Sequence, residues 1–204
     1  MKRIPTSLVL KATNEPVAAS LVEGVTGEML EQAELAWAAL RIEGAKRLQA
    51  AGREAPQHWR WDWRRKSAKI NFMAYRCFGI ECADEMQGLM LVNLTNYVSR
   101  MDGQRGKPLV YVDYIETAPW NVKDLMPEPP RYGGVGVRLI EAAIRCSVDE
   151  GFGGRLGLHA LPQAESFYEK TCEMTRGEID RQYENLFWFE LTTANAKKFL
   201  GDKP

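Results

Sequence analysis

The chain has 204 residues, with 27 basic and 27 acidic side chains, four cysteines and two histidines. That length bounds it to one domain or at most two, enough to bury a core without disulfides. The charge balance argues against general nucleic-acid affinity, and no apolar run approaches the ~18 residues of a membrane span. The apolar stretch of MKRIPTSLVL is too short for a signal peptide. Cys77, Cys82, Cys146 and Cys172 form no CxxC pair, which argues for free thiols in a cytoplasmic protein and against a metal site.

In chain order, SLVLKAT (7–13) reads as a first strand. Asn14 followed by Pro16 predicts a short capped helix over 14–24. Leu30, Ala33, Trp37, Leu40, Gly44 and Leu48 recur at helical spacing, so a long helix follows and Gly52 ends it. Residues 55–71 alternate basic side chains with Trp59, Trp61 and Trp63. That stretch, 58–66 above all, could stack on and neutralise a nucleic acid as a non-catalytic binding module. It could equally close one end of a core with its charges solvated, and the lack of a net basic domain favours this.

YRCFGIEC (75–82) and MQGLMLVNLT (86–95) read as strands joined by a short acidic turn. KPLVYVDYIETAPW (107–120) is a longer strand, rich in β-branched and aromatic residues. After Pro129 and Pro130 comes a glycine cluster and a helix to about Glu150, closed by Gly151. In that helix Val137, Ile140, Ile144 and Val148 are the expected buried stripe. GRLGLHA (154–160) is a strand, PQAESFYEKTCEM (162–174) a helix starting at Pro162, NLFWFELT (185–192) a final strand, and a short polar helix or tail ends the chain. Strands come in runs rather than in strict alternation with helices, so one mixed α/β domain over 1–204 is expected.

The glycine cluster carries the chemistry. Gly133, Gly134 and Gly136 stand at a helix mouth, where the first N–H groups lack internal partners and carry partial positive charge. Together they form an anion cradle. A phosphate-loop NTPase requires GxxxxGK[ST], but Val137 and Arg138 follow Gly136. A dinucleotide fingerprint requires GxGxxG, but its third glycine position is Leu139.

Arg131, Gly134 and Gly136 spell RxxGxG, which resembles the acetyl-CoA pyrophosphate loop of the GNAT N-acetyltransferase superfamily. Thr117-Ala118-Pro119 resembles that family's corner after its fourth strand. Ala164, Phe167 and Tyr168 resemble the A-x-x-F-Y pattern of its fourth helix, and the order of these parts matches over residues 107–174. The resemblance implies an α/β (α+β) fold with a mixed, mainly antiparallel central sheet flanked by helices, whose fourth and fifth strands splay apart. It implies acetyl-CoA as co-substrate and a primary amine, on a small molecule or a protein, as acceptor. The missing apolar span argues against a membrane partner and the charge balance makes nucleic acid the less favoured partner, while a homodimer stays open. Another acyl-CoA stays open as the donor.

By the same resemblance, Arg131, Tyr132, Gly133, Gly134, Val135, Gly136 and Val137 hold the pyrophosphate. Ile115 and Thr117 flank the pantetheine arm, and a backbone N–H there polarises the thioester carbonyl. Tyr168 is the implied general acid beside the departing sulfur. For the general base, Asp113 and Glu116 are candidates; two-residue alternation turns them to opposite sides of the strand. Glu81 is a third candidate, and His159 is a further titratable group near neutrality. Two features depart from the family pattern. Eleven residues, Trp120 to Pro130, separate the corner from Arg131 where the family's link is short, and Leu161 stands where the family often has Asn. The long loop either lines the acceptor site or is a surface insertion.

Overall fold

A computed structural model describes residues 1–201. The strands are β1 (Lys2–Leu10), β2 (Glu15–Glu23), β3 (Tyr75–Cys82), β4 (Glu85–Asn93), β5 (Val110–Thr117), β6 (Tyr132–Gly133), β7 (Leu156–Ala160), β8 (Thr175–Asp180) and β9 (Leu186–Leu191). The helices are α1 (Gly27–Ala50), a single turn α2 (Trp63–Lys66), α3 (Val135–Asp149) and α4 (Thr193–Gly201). Among the described residues the strands make one sheet in the order β6-β1-β2-β3-β4-β5-β7-β9-β8. Every pairing is antiparallel except β5 with β7. The mixed, mainly antiparallel sheet expected from the sequence is therefore present.

Helices cover both faces. α3 and α4 lie over a core built from Leu139, Ile140, Ala143, Val110, Val112 and Phe189. α1 lies over the other face, where Leu30, Trp37, Trp63, Leu89 and Trp120 pack together. α1 begins where Thr26 Oγ1 accepts from the Met29 N–H at 3.3 Å, a side-chain cap that satisfies one orphan donor. Gly52 follows the helix with φ of +69°, the left-handed geometry that glycine adopts without penalty.

Several expectations need correction. The segment 14–24 is strand β2, not a helix. Asn14 takes φ of +59° and turns the chain back on β1 instead of capping a helix. Pro16 stands opposite Val9 of β1 but outside the Ser20–Glu23 stretch that pairs with β3, so only one side of the strand is laddered there. The segment 162–174 is not one α-helix: a 3-10 turn at Pro162–Ala164 leads into a π turn at Phe167–Thr171, with the Cys172 N–H donating to the Phe167 carbonyl at 3.1 Å. β8, absent from the sequence reading, is an edge strand whose residues are almost all exposed, so its sequence carries no hydrophobic alternation. Finally, the buried face of α3 centres on Leu139, Ile140, Ala143 and Ile144, and Val148 is half exposed.

β5 carries a bulge. Leu91 faces Tyr114 and Val92 faces Val112, so Asp113 has no partner on β4. One extra residue resets the alternation of side chains. Asp113 and Glu116 therefore both reach the segment between α1 and β3, where Asp113 meets Lys69 and Glu116 meets Trp63. The expectation that they face opposite sides fails for this reason.

Candidate active site

β5 and β7 pair only at Val110–Leu156 and Tyr111–Gly157. Beyond that point the parallel strands part, so the remainder of β5 presents backbone to a wedge. The wedge opens toward the mouth of α3. Gly88 pairs with Thr117, and a Cβ on Gly88 would lie 2.5 Å from Val135 Cγ1. The lack of a side chain at Gly88 thus seats the start of α3 at the far end of β5. From Thr117 back to Tyr111 the wedge is about 20 Å long, at ~3.3 Å per residue.

Gly134 is the N-cap of α3, with φ of +90° and open space around its missing Cβ. An L side chain resists that conformation. A Cβ on Gly136 would lie 3.1 Å from Phe167 Cζ, and one on Gly133 would lie 2.6 Å from Lys11 Cε. Tyr132 and Gly133 add a short strand beside β1, which fixes the approach to the helix. The first helical bond runs from the Arg138 N–H to the Gly134 carbonyl at 3.0 Å, so the N–H groups of residues 135 to 137 are left for an anion.

A cavity of about 980 Å³ runs along the wedge. Asp113, Ile115, Glu116, Thr117, Tyr132, Gly133, Gly134, Val135, Gly136 and Tyr168 all line it. Arg131 and Val137 lie outside this lining. The Arg131 guanidinium sits 5.1 Å above the Trp120 ring and 3.4 Å from Glu85, and Val137 packs against the core. The 120–130 loop does two things. Asn121, Val122, Lys123, Pro129 and Pro130 line the cavity, while Leu125 is buried against Gly44 of α1. Gln87 Oε1 fixes its start, accepting from Trp120 Nε1 at 2.8 Å and Asn121 Nδ2 at 2.9 Å.

The candidate acid and bases sit in different surroundings. Tyr168 is buried against Phe167 and Phe189, and burial pushes its phenol above the ordinary range. Asp113 forms a partly buried pair with Lys69 at 2.5 Å. Glu116 is buried, and its two oxygens accept from Arg41 Nη1 at 2.9 and 3.0 Å and from Trp63 Nε1 at 2.6 Å. Arg41 also binds Glu34 at 2.5 Å and the Trp61 carbonyl at 2.6 Å. Two carboxylates share one guanidinium here, and burial pushes Glu116 up, against the pull of Arg41 and Trp63. Glu81 pairs with Arg3 at 2.7 Å and is not part of the cavity wall.

Several groups in or beside the cavity wall were not singled out as site residues. His58 stands 5.7 Å from the Trp61 ring and 3.2 Å from Gln163 Nε2; burial and the charge of Arg41 lower it to about 4. The Lys66 ammonium lies 4.1 Å from the centre of the Tyr114 ring and 5.0 Å from that of Trp61, and burial lowers it to about 8. Of the three tryptophans in the basic stretch, Trp63 is wholly buried and Trp61 lines the cavity. Glu34 and Arg41 were legible in principle. Both fall on the apolar stripe of α1, seven residues apart, where a charge has to find a buried partner.

No family model and no curated protein matches the sequence. Solved structures do match in fold. An uncharacterised protein from Bacillus halodurans superposes with TM-score 0.56 at 9% identity, covering 99% of this chain and 97% of that one. The GNAT domain of S. lividans PAT gives 0.55 at 11% identity, covering 92% and 96%. The paia N-acetyltransferase from Thermoplasma acidophilum, in complex with coenzyme A, gives 0.50 at 11% identity, covering 84% and 98%. With its splayed β5 and β7, its bulged β5 and its glycine-opened α3, the chain has the GNAT fold.

Proposed function

We propose that this protein is an acetyl-CoA-dependent N-acetyltransferase acting on a primary amine. The observation that carries the reading is the glycine-opened mouth of α3, which leads directly into the wedge between β5 and β7 within one cavity. The residues present suit acetyl-CoA. Free N–H groups at 135–137 can hold a pyrophosphate, the left-handed Gly134 keeps that backbone open, and the unpaired edge of β5 can pair with a pantetheine arm as an added strand. The fold neighbour that carries coenzyme A supports the same assignment.

When bound, acetyl-CoA supplies an activated acyl group. The chain's own residues orient and polarise. A backbone N–H on the open edge of β5, between its bulge at Asp113 and Thr117, donates to the thioester carbonyl as charge builds on its oxygen. Tyr168 donates its phenolic proton to the departing sulfur, for which a neutral phenol is the required state. Placing both reactants in one cavity supplies much of the rate. Glu116 has both oxygens engaged, so its role is to anchor the end of β5. On the acceptor side, Trp61, Tyr114 and Tyr183 favour an amine with apolar or aromatic surface.

Calorimetry with acetyl-CoA tests the reading, followed by a screen of primary amines for release of free CoA thiol. Acetyl-CoA at about a hundred times its Kd should add roughly 2.7 kcal/mol of stability. No binding heat and an unchanged melting temperature would refute the assignment.

A further inference from the structure

The closed end of the wedge holds a chain of three hydrogen-bonded side chains that the mechanism above leaves unused. Tyr111 is the last β5 residue still paired with β7, opposite Gly157, and His159 follows two residues later on β7. The Tyr111 hydroxyl lies 2.8 Å from His159 Nδ1. His159 Nε2 lies 3.3 Å from Asp180 Oδ2 on β8, which also receives Arg100 Nη1 at 2.9 Å. Tyr111 and His159 both line the cavity, yet Tyr111 is only 4% exposed.

The direction of these bonds follows from charge. Arg100, with the Gln182 N–H and His159, holds Asp180 below the ordinary carboxylate range, so it is ionised and can only accept. Nε2 therefore carries the imidazole proton, Nδ1 offers a lone pair, and Tyr111 donates to it. The groups facing His159 are Tyr111 from β5, Asp180 from β8, Trp188 from β9, Tyr183 stacked at 3.8 Å, and the charge of Arg100. Burial lowers the imidazole against the pull of Asp180, so it rests neutral and able to take a proton. Ring stacking alone would be satisfied by phenylalanine at 111, since Tyr97 stacks on that ring at 3.8 Å through its face. The hydroxyl adds direction to what would otherwise be packing.

We propose that Tyr111, His159 and Asp180 form the proton relay of the transfer step, with Tyr111 taking the proton that the acceptor amine loses and His159 taking Tyr111's. The relay rests on the acetyltransferase reading and deepens it. The amine nitrogen attacks the thioester carbon and a C–N bond forms. The N–H bond breaks toward Tyr111 Oη while the Tyr111 proton moves to His159 Nδ1. The C–S bond breaks with its electron pair on sulfur, which takes the Tyr168 proton. The imidazolium beside Asp180 then releases its proton to solvent and Tyr168 regains one, so the net transfer is one proton from nitrogen to sulfur. Tyr111 is the catalytic residue of the three; His159 and Asp180 act through it and position its proton.

Two measurements on the full-length protein test the relay. The chain has only two histidines, so imidazole nitrogen NMR resolves His159 once His58→Gln identifies the other ring. The neutral Nε2–H tautomer is expected near neutral pH, with that preference lost in Asp180→Asn. An Nδ1–H tautomer or an imidazolium in the wild type would overturn the proposal, and this arm needs no turnover. The second measurement follows acetohydroxamate formation from acetyl-CoA and hydroxylamine, an amine small enough to need no specific pocket and uncharged at neutral pH. Tyr111→Phe and His159→Gln should lower kcat about 10²-fold and leave the KM for acetyl-CoA unchanged. Their rates should climb with pH above neutrality, as hydroxide replaces the relay, where the wild-type rate is flat. Unchanged kcat in Tyr111→Phe refutes the relay alone; a wild type that does not bind acetyl-CoA refutes the acetyltransferase reading instead.

Discussion

At the scale of single residues, the proposed cradle and the proposed acid can be separated by substitution. Gly134 and Gly136 differ in why they are glycine. Gly134 needs its φ of +90°, with empty space where a Cβ would be. Gly136 instead needs the space that Phe167 and the cavity share. Gly134→Val should therefore destabilise the fold by about 1–2 kcal/mol through backbone strain. Gly136→Val should spare more of the stability, and both should abolish acetyl-CoA binding in calorimetry. Tyr168→Phe keeps the ring and its contacts with Phe189, so the fold should survive. Its kcat should fall ~10²- to 10⁴-fold while acetyl-CoA affinity changes by about 1 kcal/mol or less. A donor with a more acidic leaving thiol should shrink that loss, because such a thiolate departs without a proton. Arg41 is the counter-case of a structural charge. Arg41→Met strands Glu34 and Glu116 in the core and should cost about 3–5 kcal/mol in a denaturant titration.

At the scale of elements, the 120–130 loop is fastened by one buried leucine. A Cβ on Gly44 would lie 2.5 Å from the Leu125 carbonyl, so glycine in mid-helix is what admits the loop against α1. Leu125→Ala should cost about 2–5 kcal/mol and raise the KM of the amine more than that of acetyl-CoA, because Val122, Lys123 and Pro129 would lose their support. Equal effects on both KM values would show that the loop serves the fold alone. The elements misread from sequence share a cause. For β2, local cap signals at Asn14 and Pro16 pointed to a helix, but long-range pairing with β1 and β3 prevailed. For 162–174, the helical pattern is real over one turn and then widens to a π turn, a local choice among near-equal hydrogen-bond registers.

At the scale of the whole molecule, the two histidines make stability depend on pH with a definite sign. The folded protein holds His58 near 4, against about 6.5 in an unfolded chain. Between those values the unfolded state binds the extra proton, so stability rises with pH there. The contribution is complete above about pH 6.5 and is lost as the pH falls toward 4. His159, also lowered by burial, acts in the same sense. Melting temperature should drop on acidification across this window, and His58→Gln should flatten part of the slope. An unaltered slope in His58→Gln would show that His58 is not held neutral by the fold.

Sequence alone determined what is local. The glycines at 133, 134 and 136, the apolar stripe of α1, the strands from 75 to 95 and the A-x-x-F-Y run all sit within short windows, and periodicity and motif spacing act over such windows. Hence the fold class and the glycines at the mouth of α3 were legible. Tertiary structure alone decided what depends on pairing between distant segments. The bulge at Asp113 exists only as a register between β4 and β5, and it turned two candidate bases to one side of the sheet. Arg41 met Glu116 across 75 residues, which engaged that carboxylate in a buried ion pair. Tyr111, His159 and Asp180 come from three strands; His159 alone stood out in its own window, and the contacts that join the three exist only once β5, β7 and β8 stand in one sheet.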